Sequence, residues 1–272
     1  MNLDNVILVA SGQPGPILAI FAGVHGNERA GVYALQQLAT ELKLTKGKVY
    51  LVLANPPAIE ADVRMLGKNL NRCFFEGNIG NTPEDMRACE LMQLLDGCDA
   101  LLDLHMFYDD NGEPFVICED NAVELAQIFD VNIISTNWTQ VEPGGTDGYM
   151  FTKDKIGICV ECGPHRKSHE YTEFAKNSVY QFLTYFDMVD TPVEYSRLPK
   201  RIIRAEQAVH KSSESFVLEP GFINFEKLAE GQLIAMDGNT RLTAKAGDCI
   251  IFPHYGARLN EECYILGHAI AD

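Results

Sequence analysis

His25 and Glu28 lie three residues apart in "GVHGNE", directly after the apolar run "ILAIFAG", and His105 ends a second apolar run, "DALLDLH". Two imidazole nitrogens and a carboxylate oxygen match the donor set of a catalytic zinc site, in which three protein ligands leave one position for water. Glu161 ends a third run, "IGICVE", and brings a carboxylate able to take a proton from such a water. The spacing H-x-x-E says little alone in an acid-rich chain with seven histidines. Three strand ends bearing these groups say much more, because open α/β sheets place ligands at the carboxyl ends of their strands. A second cluster, "VRMLGKNLNRCF", supplies Arg64, Asn69, Asn71 and Arg72. A planar guanidinium holds a carboxylate through two hydrogen bonds and a nearby asparagine adds a third, which suits recognition of an amino-acid-like anion.

For these groups to meet, the apolar runs must be neighbouring strands. Seven runs have the length and apolarity of buried strands: "NVILVA", "ILAIFAG", "KVYLVLAN", "DALLDLH", "PFVICED", "VNIIST" and "IGICVEC". Residues 28–43, 83–96, 121–129 and 169–187 repeat apolar side chains at helical spacing, and "TPED" at Thr82 to Asp85 is a helix start. Strands alternating with helices predict an α/β fold with a largely parallel sheet flanked by helices. Beyond about residue 190 short β-like segments are separated by the turns "EPG", "AEGQ", "DGNT" and "KAGD". We therefore expect a catalytic domain over 1–195 and a smaller C-terminal β-rich domain over 196–272, divided near Pro192 to Pro199.

The 272 residues suffice for a sizeable core, and 46% hydrophobic against 22% charged residues is an ordinary globular mixture. A formal charge of −16 repels phosphates and argues against nucleic acid as a partner. The same field makes local arginines necessary for any anionic substrate. No apolar stretch reaches the length of a membrane helix, and "MNLDNVILVASGQ" has no basic region before its apolar run, so no membrane partner and a cytoplasmic location are expected. Eight scattered cysteines fit reduced thiols. Cys159 and Cys162 have C-x-x-C spacing, but on a strand they point to opposite faces, against both a zinc knuckle and a dithiol.

In this order, "GVHGNE", "NLNRCF", "LLDLHMF" and "VECG" resemble the succinylglutamate desuccinylase and aspartoacylase family of zinc deacylases, relatives of zinc carboxypeptidases. The resemblance runs along nearly the whole chain. It implies a zinc-carboxypeptidase-like mixed sheet, one Zn2+ per chain held by His25, Glu28 and His105, and Glu161 as catalytic acid and base. It also implies that Arg64 polarises the scissile carbonyl and that Asn71 and Arg72 hold a substrate carboxylate. The tail "DGNTRLTAKAGDCIIFP" followed by "NEECY" is similar to the aspartoacylase C-terminal β domain, which would cover the active site and bring Tyr264 to a substrate carboxylate. A strand aromatic in that position is also a packing residue.

Two departures stand out. The family's "DLNR" is "NLNR" here, so Asn69 replaces an acid, with its effect expected on support of the ligands. The family's arginine for the substrate side-chain carboxylate, roughly ten residues before the catalytic glutamate, is missing from "GGTDGYMFTKDK", where Lys153 or Lys155 is the available substitute. The expected activity is removal of the acyl group from a small N-acyl amino acid or related compound, with an acylated diamine among the candidates. The other readings are a zinc carboxypeptidase acting on small peptides and a non-catalytic metal- or ligand-binding protein of the same fold. The pattern leaves room for a homodimer.

Overall fold

The computed structural model of the protein describes residues 5–190 and 193–271. Strands β1 (Val6–Ala10), β2 (Ile17–Ala22), β3 (Lys48–Leu53), β4 (Ala100–Phe107), β5 (Phe115–Cys118), β6 (Ile133–Thr136) and β7 (Ile156–Pro164) fall on the seven expected apolar runs. Between them lie helices α1 (Arg29–Glu41), α2 (Pro56–Ala61), α3 (Pro83–Asp96), α4 (Val123–Ala126), α5 (Trp138–Val141) and α6 (Thr146–Thr152), and α7 (Thr172–Tyr185) follows. Helix α3 begins where its sequence says. The Thr82 hydroxyl accepts the Asp85 N–H at 3.1 Å and Pro83 fills the first turn, whose amides have no intrahelical partner.

After α7 the chain is β-structured, with β8 (Arg201–His210), β9 (Phe216–Leu218), β10 (Glu226–Lys227), β11 (Leu233–Asp237), β12 (Thr240–Thr243), β13 (Asp248–Ile251) and β14 (Glu262–Ala271). The change of texture near residue 190 marks a change from α/β to β. It does not break the sheet. One eleven-stranded sheet runs β1-β3-β2-β4-β7-β5-β6-β8-β14-β13-β10, and β12-β11-β9 form a second, small antiparallel sheet. The expected boundary at Pro192 to Pro199 begins at a residue outside the described ones.

The centre of the large sheet is parallel, β3-β2-β4-β7, and antiparallel strands flank it. Helices α1 and α7 cover one face through Leu35, Leu38, Val179 and Phe182, while α3 covers the other through Ala88, Leu91 and Leu95. Two covered faces explain why β2 and β4 are apolar at almost every position instead of alternating. The exceptions on β4 are Asp103 and His105, buried at 0% and 2% exposure. Side chains two apart on a strand share a face, so both project with Leu101 and Phe107, away from the α1 side.

Candidate metal and active site

The β2–α1 turn gives His25 and Glu28 their places. Gly23 has φ +68, and a Cβ on Gly26 would meet the Ala58 carbonyl carbon at 2.0 Å and the Ile59 nitrogen at 2.4 Å. Backbone this close leaves no room for any other residue, and the Gly26 N–H donates to the Arg64 carbonyl at 3.2 Å. The turn is thereby pinned to α2 and to the loop that carries Arg64. His105, near the carboxyl end of β4, stands opposite Glu161 of β7 in parallel register, so two of the four groups are neighbours by strand pairing alone.

All four side chains are buried, with His25 at 4%, Glu28 at 2%, His105 at 2% and Glu161 at 6% exposure. One ligand atom from each of His25, Glu28 and His105 lies within 4.8 Å of the others. Glu28 sits between the imidazoles: its Oε1 is 2.8 Å from His25 Nδ1 and its Oε2 is 3.1 Å from His105 Nδ1. The far nitrogens are occupied. His25 Nε2 donates to Asn69 Oδ1 at 3.0 Å, and His105 Nε2 donates to Asp103 Oδ2 at 2.9 Å. Those bonds leave each Nδ1 as the nitrogen that faces the Glu28 oxygens. Without a metal the raised His105 shares a proton with Glu28, and a metal ion bound there would replace it. A divalent ion with nitrogen and oxygen ligands fits this donor set, and His25, Glu28 and His105 would hold it.

The electrostatics agree. Burial, with the Arg64 charge beside it, holds the His25 imidazole down to about 4, so it stays neutral at neutral pH. Burial pulls His105 down too, but the Asp103 charge and hydrogen bond outweigh it and raise the imidazole well above its usual range. Burial pushes Glu28 up, yet the two histidines hold it well below the usual carboxylate range. Glu161 is the reverse: burial pushes it up to about 8, with the Glu28 charge adding to the rise, and its Oε2 has no hydrogen-bond partner.

A ligand must meet neutral His105, and a nearby dication ionises Glu161. Zinc binding at pH 7 should therefore release protons from His105 and Glu161, and fewer as the pH rises past about 8, where Glu161 is already ionised. Calorimetric titrations in buffers of different ionisation enthalpy measure this number, and identical heats in all buffers would contradict the assignment.

The other expected residues converge only in part. Arg64 donates to Glu28 Oε1 at 3.0 Å and lies over the Tyr108 ring, 5.6 Å from its centroid. Asn69 opens a 3₁₀ turn, Leu70–Arg72, by accepting the Asn71 N–H at 2.9 Å, so the residue that replaces the family's acid both starts this turn and supports His25. Asn71 Oδ1 accepts the Thr146 N–H at 3.2 Å, and Arg72 Nε donates to Glu142 Oε2 at 2.7 Å. Asn71 and Arg72 both line one cavity of about 840 Å3 together with Arg64, His25, Glu28, His105 and Glu161.

Tyr264 does not line it. The tyrosine is 1% exposed and packs with Phe216, Leu218 and Ile234 in the C-terminal core. The pairing of β14 with β8 shifts register between Glu262 and Tyr264. That irregularity breaks the alternation of faces, so Glu262 meets the cavity and Tyr264 does not. Lys153 and Lys155 are also away from it. Lys153 Nζ pairs with Glu76 and Lys155 Nζ donates to the Asp96 carbonyl at 2.7 Å. Their segment does send one side chain to the cavity, Asp147. Glu142, Asp147, His210 and Glu262 were not singled out from the sequence. Asp147 alone had a signal, its place in the stretch where the arginine was missed. Cys159 and Cys162 sit in different apolar clusters on opposite faces of β7, as their spacing on a strand requires.

Residues 14–177 match the sequence model of the succinylglutamate desuccinylase/aspartoacylase catalytic domain. A succinylglutamate desuccinylase of Serratia proteamaculans is 27% identical over 94% of this chain and 86% of its own. An N-acyl-aromatic-L-amino acid amidohydrolase (carboxylate-forming) of Rattus norvegicus is 33% identical over 58% of this chain. The match spans 56% of that rat protein, so the chain covers little more than half of it. The crystal structure of a succinylglutamate desuccinylase from Vibrio cholerae superposes with a TM-score of 0.81 at 15% identity, over 97% of this chain and 85% of that one, a likeness of fold. With more than half of its length matched, the chain belongs to the succinylglutamate desuccinylase/aspartoacylase family of deacylases.

Proposed function

We propose that the protein is a zinc-dependent amidohydrolase that removes the acyl group from an N-acyl amino acid or a related small N-acyl compound. The observation that carries this reading is the convergence of His25, Glu28 and His105 within 4.8 Å beside the partnerless Glu161 Oε2 in a shared cavity. When bound by these three residues, a divalent ion supplies Lewis acidity and lowers the pKa of water toward about 7. Glu161 removes the proton from the attacking water and later delivers it to the leaving nitrogen. A group raised to about 8 by burial gives and takes protons near neutrality. Arg64, already oriented by Glu28 and stacked over Tyr108, donates to the oxyanion that develops on the scissile carbonyl, a contact whose loss typically costs about 3 kcal/mol. Asp103 and Asn69 act through the imidazoles as positioning residues.

The cavity favours small substrates over peptides, because the C-terminal segment lines it through His210, Pro253, His254 and Glu262. No helix among the described residues is long and apolar enough to cross a membrane. All eight cysteines are free thiols, which fits a cytoplasmic setting. Asn71 and Arg72 lie on the wall that meets the non-acyl part of the substrate. Arg72→Ala should act mainly on KM, raising it about tenfold or more, and steady-state kinetics that show a loss confined to kcat would contradict that placement. The overall reading is tested by metal analysis coupled to a screen of N-acetyl, N-succinyl and N-formyl amino acids. Protein with stoichiometric zinc that cleaves none of a broad panel of N-acyl amines would defeat it.

A further inference from the structure

The cavity wall is more acidic than a site for a dicarboxylate requires. Besides Glu28 and Glu161, five carboxylates line it, against three guanidiniums. Each guanidinium already faces an acid. Arg64 is paired with Glu28 at 3.0 Å, and Arg258 lies 3.7 Å from Glu261. Arg72 gives Nε to Glu142 at 2.7 Å and Nη1 to the Asn71 carbonyl at 2.9 Å, and its Nη2 is 3.9 Å from Glu262. A substrate carboxylate would have to share its guanidinium with one of these acids.

Asp147 carries the argument further. It comes from the segment in which family resemblance leads one to look for a cation, and the lysines of that segment are committed elsewhere. Its side chain lines the cavity, is 7% exposed, and its Oδ2 has no hydrogen-bond partner. Its place is fixed by the start of α6, where the Thr146 hydroxyl donates to Asp103 at 2.6 Å and the Thr146 N–H donates to Asn71. The Gly148 N–H serves the carboxylate, but its second oxygen is left without a partner, which is costly unless a ligand completes it. Burial and the Glu119 charge push Asp147 up to about 6, a rise that a cation beside it would reverse.

We propose that this end of the cavity reads a protonated amine: the substrate is an N-acyl amine bearing a second, cationic nitrogen, and Asp147 is the specificity-determining residue that accepts its hydrogen bonds. The proposal rests on the hydrolase reading of the same site and adds the sign of the substrate's charge. Charge-assisted N–H bonds to carboxylate are about twice as strong as neutral ones, and a site built around a substrate N–H discriminates strongly against analogues that lack it. Ile117, Trp138 and Phe252 line the same cavity and offer apolar surface to a methylene chain.

The test uses zinc-loaded protein and a matched set: N-acetyl-1,4-diaminobutane, its neutral isostere N-acetylbutylamine, N-acetyl-4-aminobutanoate, and monoacetylated ornithine. Wild-type kcat/KM should favour the ammonium compounds over the neutral isostere by about tenfold or more, and over the carboxylate by a larger factor. Ornithine against diaminobutane decides whether the amine is part of an amino acid. Asp147→Asn should reduce the ammonium-to-neutral ratio by about tenfold or more. Calorimetric affinities of the same compounds for zinc-loaded Glu161→Gln give the order without turnover. If that order holds while hydrolysis is absent, the hydrolase reading fails and this inference stands. A flat or reversed order in wild type, no affinity for the ammonium compounds, or an unchanged ratio in folded Asp147→Asn overturns it. Turnover confined to carboxylate compounds overturns it and leaves the hydrolase reading intact.

Discussion

Glu161→Gln should lower kcat by about 10²- to 10⁴-fold, the range general acid–base catalysis contributes, while the protein keeps one zinc per chain. Glutamine preserves the size and shape of a side chain that is 6% exposed but neither accepts nor returns a proton. The glutamate is outside the His25, Glu28 and His105 cluster but forms a second possible ligand group with His105 and Cys159, so metal content in the variant separates a catalytic role from a ligand role. Strand register places it: Glu161 pairs with His105 across β4 and β7, and Asp147 and Glu142 hold no equivalent position.

A second signature follows from its raised pKa. A carboxyl group whose folded value is about 8 against an ordinary 4.5 contributes stability that is full below about 4.5 and is lost as pH rises through about 8. Metal-free wild type should therefore lose stability over that window, and metal-free Glu161→Gln should lose less. Denaturant midpoints across the pH range, set beside single-turnover rates, test both halves. A variant turning over within tenfold of wild type would remove Glu161 from the mechanism.

The parts of the fold legible in the sequence are those governed by long apolar runs. Strands β2, β4 and β7 are buried on both faces, so their sequences are apolar at most positions, and a histidine or glutamate late in such a run stands out. The convergence of His25, Glu28 and His105 is legible for the same reason. The remainder depends on contacts that no local pattern records. Helices α5 and α6 are 4 and 7 residues long, too short to show a helical period, yet α6 positions Asp147. The β6–β8 pairing joins residues 133–136 to 201–204 and makes one sheet of what reads as two regions. Glu262 and Tyr264 would share a face by simple alternation and instead separate, because one irregular step in β14 is invisible in "NEECY". Glu142 reaches Arg72 across 70 residues of sequence, which no spacing rule anticipates.

His25→Ala should release the metal. Removing this imidazole leaves His105 and Glu28 as the two protein ligands, below the three that a catalytic zinc site uses. It also leaves Asn69 without the ring it supports, although Asn69 still accepts the Asn71 N–H and holds the 3₁₀ turn. Loss of a supporting partner costs about 10- to 100-fold in metal affinity; loss of a ligand should cost more, so the Asn69→Ala variant provides the internal scale. Zinc at 100 times its dissociation constant stabilises wild type by about 2.7 kcal/mol, and that stabilisation should vanish in His25→Ala and persist, weakened, in Asn69→Ala. The readouts are zinc per chain after dialysis and the shift of Tm on zinc addition. His25 lies 44 residues before Asn69 and is held to it at 3.0 Å, so an ordered loss, His25→Ala beyond Asn69→Ala beyond wild type, is what a ligand with a dedicated support produces. Stoichiometric zinc in His25→Ala would mean that the ion sits elsewhere.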